Sequence, residues 1–338
     1  MQDALSEARG FSVEFGEDLS NHAAMALLAQ RRLGGAERDA RRFLDAYRIT
    51  NPLRAVAPSP GRIERGAWKA RLGDRSAEGA YRAFFRAELV RVGDASALIR
   101  AYLPELLPGI AASALHALMR LAYAHDSDDA EEVAESLGYW CATYLPLGEG
   151  NGSAPVTDEP AEVLLRLAAL PAMRVMTFDD GLLWHAMRAA AAMPDFTPVH
   201  DWLAIGPDTL RRIARDSLLI LAATMEFCAL HAVTGTHWLR MILPALAPAD
   251  QARAIRYYWQ AIASVYPKMA FPLPLSVEEA ARQRALPAPS WDAISAAAVA
   301  SNDEHDISLV WTSRCEEQQW NEPLYRVIAA RRVGLMSL

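Results

Sequence analysis

Apolar residues run almost without interruption from Leu218 to Val233, with Thr224, Glu226 and His231 as the exceptions. A helix that is apolar all round is buried on all sides. The stretch from about 217 to 233 therefore predicts a buried central helix. Thr234-Gly235-Thr236 predicts its end, with Thr236 capping a following helix over Trp238–Leu246. A carboxylate inside such a helix is costly without a partner. Glu226 is thus expected to face one, with His231 near the end of the same helix and His237 beyond the bend. The run is at the short end of what a bilayer needs and contains a glutamate, so no membrane span is expected.

Elsewhere Ala, Leu, Arg and Glu dominate, and runs of Val, Ile and Thr are missing, which favours helix along most of the chain. Met25, Leu27, Leu28 and Leu33 form a core-facing stripe on a helix capped by Asp18 or Ser20 and stopped by Gly34-Gly35. Further helices are predicted over Ala36–Tyr47, Ser76–Val92, Ile110–Ala124, Pro160–Leu170, Asp179–Met193, Pro248–Tyr266, Trp291–Val299 and Pro323–Val333. Arg331-Arg332 suit the negative end of the last one. The acidic run Asp126-Ser-Asp-Asp-Ala-Glu-Glu reads as a solvated start to a helix reaching Tyr144. Two irregular, proline-rich sections, Asn51–Arg75 and Lys268–Pro289, are long enough to wall a site. The expected architecture is all-α, one large multi-helix domain over residues 1–338.

Composition narrows the function classes. Hydrophobic residues are 52% and charged residues 22% of the 338-residue chain, as in a globular protein. The net charge of −7 argues against nucleic-acid binding, which needs a basic footprint. The amino-terminal residues are polar and carry no apolar signal core. The three cysteines, Cys141, Cys228 and Cys315, are far apart and fit free thiols in a reducing cytoplasm. The glycines of Gly148–Gly152 neither follow a strand nor open a phosphate-binding helix.

The histidines carry the candidate chemistry. His22 lies in the first turn of its helix, where a neutral imidazole is favoured. His116 and Arg120, four residues apart, share a helix face, and Arg120 needs an anion or carboxylate to face. Its structural alternative is a salt bridge to Glu226. His305 sits in Asp303-Glu304-His305-Asp306, just before a buried run. No short metal motif is present, but single histidines on separate helices can converge in a bundle core. An imidazole-rich site suits iron, copper, zinc or nickel. Asp303, Glu304 and Glu226 are available to accept from the far ring nitrogens. His185 and His200 read as structural.

Five segments, in order along the chain, resemble the questin oxidase-like family. They are Glu17-Asp-Leu-Ser-Asn-His22-Ala-Ala-Met25, Leu115-His116-Ala-Leu-Met-Arg120, Gly138-Tyr-Trp-Cys-Ala-Thr-Tyr144, Leu230-His231-Ala-Val-Thr-Gly-Thr-His237 and Asp303-Glu-His305-Asp-Ile-Ser308. The resemblance implies an all-α, oxygen-using enzyme with a histidine-bound non-haem iron. It implies His22, His116, His231 and His305 as ligands, with His237 a fifth candidate. The family pattern reads Asp-Glu-His-x-x-Lys, and its lysine has been proposed as a carbamylated ligand. Here Ser308 stands at that position, and serine forms no carbamate. Water or substrate fills the place, a nearby carboxylate moves in, or the family chemistry is lost.

The resulting expectation is a cytoplasmic metal-dependent oxygenase acting with O2 on a small aromatic, polyketide-like substrate, by ring cleavage or Baeyer–Villiger-type insertion. Arg120 and Glu226 are the candidate catalytic residues, and the two proline-rich loops are expected to wall an apolar pocket. A requirement for NADPH or another reductant is left open. The rivals are a helical ligand-binding protein with relic histidines and a non-oxidative hydrolase or cyclase.

Overall fold

The computed structural model describes residues 2–178 and 181–337. The fold is all-α. In chain order the elements are α1 (Gln2–Arg9), the two-residue strands β1 (Glu14–Phe15) and β2 (Leu19–Ser20), α2 (Ala23–Arg32), α3 (Glu37–Thr50), α4 (Glu78–Val92), α5 (Ala95–Leu106), α6 (His116–Asp126), α7 (Ala130–Ala142), α8 (Pro160–Ala168), α9 (Pro171–Arg174), α10 (Leu183–Ala191), α11 (Val199–Trp202), α12 (Thr209–Thr224), α13 (Phe227–Ile242), α14 (Pro248–Val265), α15 (Val277–Arg284), α16 (Trp291–Ala300), α17 (Glu304–Trp320) and α18 (Leu324–Arg332). None of the described helices is long and apolar enough to cross a membrane.

The predicted central helix is corrected at both ends. Helix α12 starts at Thr209, well before 217, and the break falls at Met225, whose φ is 48°. Helix α13 then runs through Thr234, Gly235 and Thr236 without interruption. The threonines explain why. Thr234 Oγ1 donates to Leu230 O at 3.0 Å and Thr236 Oγ1 to Ala232 O at 2.7 Å, so both hydroxyls bond back along the helix and neither caps a new one. The stretch is also not buried all round, since Ala223, Thr224 and Phe227 are exposed.

Other boundaries shift for local reasons. Asp18, with φ 67°, turns the small β1–β2 hairpin instead of capping α2, and Asn21 Oδ1 accepts from Ala23 N at 3.0 Å in its place. The helix expected from Ile110 begins only at His116, because Ser113, Ala114 and Leu115 all adopt positive φ. The expected start at Asp179 lies outside the described residues, and the helix there runs Leu183–Ala191. Helix α5 was not anticipated, and α15 interrupts the second proline-rich section.

The described chain groups into two compact units. The first comprises Met1–Ala55, Ala214–His237 and Leu273–Leu338. Within it α2 packs on α1, α3 and α17, and α17 packs on α16 and α18. Its interior includes Met25, Phe43, Leu44, Ile307, Leu309 and Ile328, all fully buried. The second unit comprises Val56–Ile213 and Trp238–Pro272. There α7 packs on α4, α5 and α6, around Phe85, Tyr123, Leu137 and Trp140. Gly138 permits the close approach of α7 to α4: a Cβ at this position would lie 3.1 Å from Arg82 N.

Candidate metal centre

Three of the singled-out histidines meet in the first unit, each delivered by a helix start. His22 is the residue before α2. Its backbone N–H donates to the Tyr47 hydroxyl at 3.0 Å, which ties the entry of α2 to α3. His305 is the second residue of α17, whose cap is Asp303. His231 sits one turn into α13. The ring centroids of His22 and His305 are 4.9 Å apart, and those of His231 and His305 are 5.8 Å apart. The Phe227 ring stands edge-on to both His231 and His305, at 4.8 and 4.7 Å, and fills the space beside them.

The ring nitrogens are sorted. His22 Nδ1 lies 2.9 Å from Ser20 O, and His231 Nδ1 lies 2.9 Å from Phe227 O. His305 Nδ1 lies 3.1 Å from Asp303 Oδ1. A carbonyl or an ionised carboxylate can only accept, so each Nδ1 carries the proton. The lone pair of each neutral ring is therefore on Nε2, the arrangement typical of metal-ligating histidines. The donor chemistry of these residues thus fits a first-row metal ion that favours imidazole.

Carboxylates surround this group. Asp303 Oδ1 accepts both the His305 ring nitrogen and its backbone N–H, the latter at 2.8 Å. Burial pushes the Asp303 carboxyl up, but the hydrogen bonds from the His305 ring and backbone, with the Arg332 guanidinium beside it, outweigh it and hold it at about 2. Glu304 Oε1 lies 3.5 Å from His22 Nδ1 and 3.7 Å from His305 Nδ1. Burial raises its carboxyl above the usual value, against the pull of His305. Ser308, at the family's lysine position, is buried one turn after Glu304 on the same helix.

Two expected site residues have other occupations. Glu226 is half-exposed, and its Oε2 accepts from Cys228 N at 2.5 Å and Ala229 N at 3.0 Å. It caps the start of α13, where the helix dipole favours a negative charge. The buried partner expected for it is not needed, because it is not inside a helix. His237 is buried, and its Nδ1 lies 2.6 Å from Glu316 Oε1, while Trp320 Nε1 donates to Glu316 Oε2 at 2.6 Å.

His116 and Arg120 belong to the second unit. His116 opens α6 with its Nδ1 against the Ser113 carbonyl, so its Nε2 also keeps the lone pair. Arg120 does not rely on Glu226: its Nε donates to Glu132 Oε1 at 2.5 Å, with both side chains buried. Its Nη2 is buried and has no acceptor among the described residues. Glu132 departs from the reading of the acidic run as solvated, since it is fully buried, while Asp128 and Glu131 are exposed as expected; Glu135, beyond the run, is fully buried too. Glu135 is held by Arg82, and by Arg86 at 2.7 Å. His200 is buried with its Nδ1 3.3 Å from Gln260 Oε1.

The first proline-rich section walls a groove of about 630 Å³ in this unit, where Ser59, Ile63 and Arg65 face Ala83, Phe84 and Glu88 of α4. At the groove, burial pushes the Glu88 carboxyl up, but donors from Arg91, Arg65 and Tyr102 prevail and hold it at about 2.

Sequence reasoning missed Phe227, Glu132, Glu316 and the coupling of Arg332 to Asp303. Glu132 carried a signal: it lies on the same turns as the apolar Val133, Leu137 and Trp140 of a helix buried on all sides.

The pattern of the Questin oxidase-like family matches residues 19–312, and the chain belongs to that family. No curated protein matches the chain.

Proposed function

We propose that this protein is a metal-dependent oxygenase, with non-haem iron as the metal, acting on an aromatic polyketide-like substrate. One observation carries the reading: His22, His231 and His305 lie ring to ring, each with Nδ1 spent on a fixed acceptor and Nε2 left with its lone pair. Family membership supports oxygen chemistry as the use of such a site. The resemblance implies His116 as a further ligand, and within its own unit its Nδ1 faces the Ser113 carbonyl.

When bound, the metal supplies the one-electron chemistry through which O2 reacts with an aromatic ring. The protein's residues do the rest. Ser20, Phe227 and Asp303 fix the ring orientations. Arg120 Nη2, a buried donor without an acceptor, is assigned to an anionic oxygen of the substrate, such as a phenolate. Ring cleavage places both oxygen atoms in the product and needs no external reductant. Baeyer–Villiger-type insertion places one there and needs two electrons from a donor such as NADPH.

The test is metal content by mass spectrometry on anaerobically purified protein, beside His231→Ala and His116→Ala. About one iron per chain, lost in the variants, supports the reading and leads to O2-uptake assays with anthraquinones. A folded protein that takes up no metal on reconstitution refutes it and favours the ligand-binding reading, with Ser308 marking the lost site. Iron without O2 uptake favours a non-oxidative enzyme.

A further inference from the structure

Arg332 lies at the end of α18, beyond the residues that match the family pattern. Read from sequence, it suits the negative end of its helix. The structure gives it a different task. Its Nη2 donates to Asp303 Oδ2 at 2.6 Å, and its Nε donates to Asp306 Oδ1 at 2.6 Å. Asp303 Oδ1 accepts from the His305 backbone and ring nitrogens. Ser301 completes the turn. Its Oγ accepts from Asp303 N at 3.0 Å and donates to Asp306 Oδ2 at 2.8 Å.

Both oxygens of Asp303 are thus occupied from opposite sides. A carboxylate held at one oxygen alone can rotate about χ2. Held at both, its plane is fixed, and so is the direction in which Oδ1 faces His305. A charge-assisted bond from a planar guanidinium holds that geometry more firmly than a neutral donor does. The ring of His305 is the shared neighbour of His22, His231 and Phe227. Its orientation and tautomer therefore matter most to the group.

We infer that Arg332 is a positioning residue for His305, acting through Asp303, so that the carboxy-terminal helix fixes which nitrogen of the central histidine is free to bind a metal. The tautomeric part stands on the geometry alone. The metal-affinity part rests on the proposed function.

The first test uses metal-free, histidine-labelled full-length protein and ring-nitrogen NMR, with His305 assigned by a His305→Gln spectrum. The wild type is expected to show His305 as the Nδ1–H tautomer. Arg332→Met is expected to show a mixture, and Arg332→Lys a return most of the way. Asp306→Asn, which breaks the other arm of the same clamp, is expected to leave the tautomer unchanged. An unchanged tautomer in Arg332→Met overturns the inference, whatever happens to stability.

The second test is Co(II) titration by calorimetry and visible absorption. Removing a carboxylate that orients a ligand weakens metal binding by about 10- to 100-fold, so Asp303→Asn is placed in that range and Arg332→Met at its low end. In the Asp303→Asn background Arg332→Met should change affinity by less than about twofold, because the path is already cut. A full loss in both backgrounds overturns the relay. If the wild type itself binds no metal, the proposed function fails, while the tautomer experiment still decides the role of Arg332.

Discussion

Breaking the Arg120–Glu132 pair tests both the packing of the second unit and the candidate role of Arg120. The side chains are 4% and 0% exposed, and the contact is 2.5 Å. An arginine cannot neutralise itself by losing its proton at accessible pH. Glu132→Leu therefore leaves a buried charge that already has one N–H without an acceptor. Removing one member of a buried pair costs about 3–5 kcal/mol, whereas replacing both with apolar residues of similar volume is often neutral or stabilising. Urea unfolding followed by circular dichroism is the assay. With a slope near the upper end of about 1–3 kcal/mol per molar, Glu132→Leu should lower the midpoint by about 1–2 M. Arg120→Met combined with Glu132→Leu should return it to within about 0.5 M of wild type. A Glu132→Leu midpoint within about 0.3 M of wild type refutes the reasoning, because Arg120 would then be reaching water or another acceptor. The double variant also separates fold from function: it should be folded and should lose turnover of an anionic aromatic substrate.

Acid should weaken the fold in a defined window. Asp303 and Glu88 are both held at about 2 in the folded protein, below their unfolded values near 4. Their contribution is fully present above pH of about 4 and is lost as pH falls toward about 2; urea midpoints across that range should fall, and less steeply in Arg332→Met. Glu316→Leu removes the acceptor that faces His237 Nδ1 and Trp320 Nε1 and should cost about 1–3 kcal/mol by the same assay. His237→Phe, by contrast, should keep metal stoichiometry at the wild-type value, and its loss would make His237 a ligand. Met225→Gly places the permissive residue at φ 48° and should change stability by no more than about 1 kcal/mol in the favourable direction. A loss larger than that would show that Met225 packing outweighs its backbone strain.

Fold class and family were legible in the sequence because both are local. Helix propensity and the spacing of Met25, Leu27 and Leu28 act within a few turns, and family membership rests on short ordered segments around His22, His116, His231 and His305. Asp303 was available in the sequence as an acceptor for a ring nitrogen, but that one of its oxygens serves both the cap and the His305 ring appears only in the folded chain. Other features needed the folded chain. The break at Met225 instead of Thr234–Thr236 depends on where threonine hydroxyls find carbonyls, and threonine serves a cap or a helix interior equally well. Glu132 looked solvated because an acidic run at a helix start usually is; only the packing of α4 and α6 on α7 supplies the arginines that let it and Glu135 be buried. Arg332 and Asp303 are distant in sequence, and no periodicity links them. Sequence determined that the chain is helical and to which family it belongs, since both are properties of short segments. Tertiary structure decided how each ring is oriented, because that depends on the acceptor each Nδ1 meets.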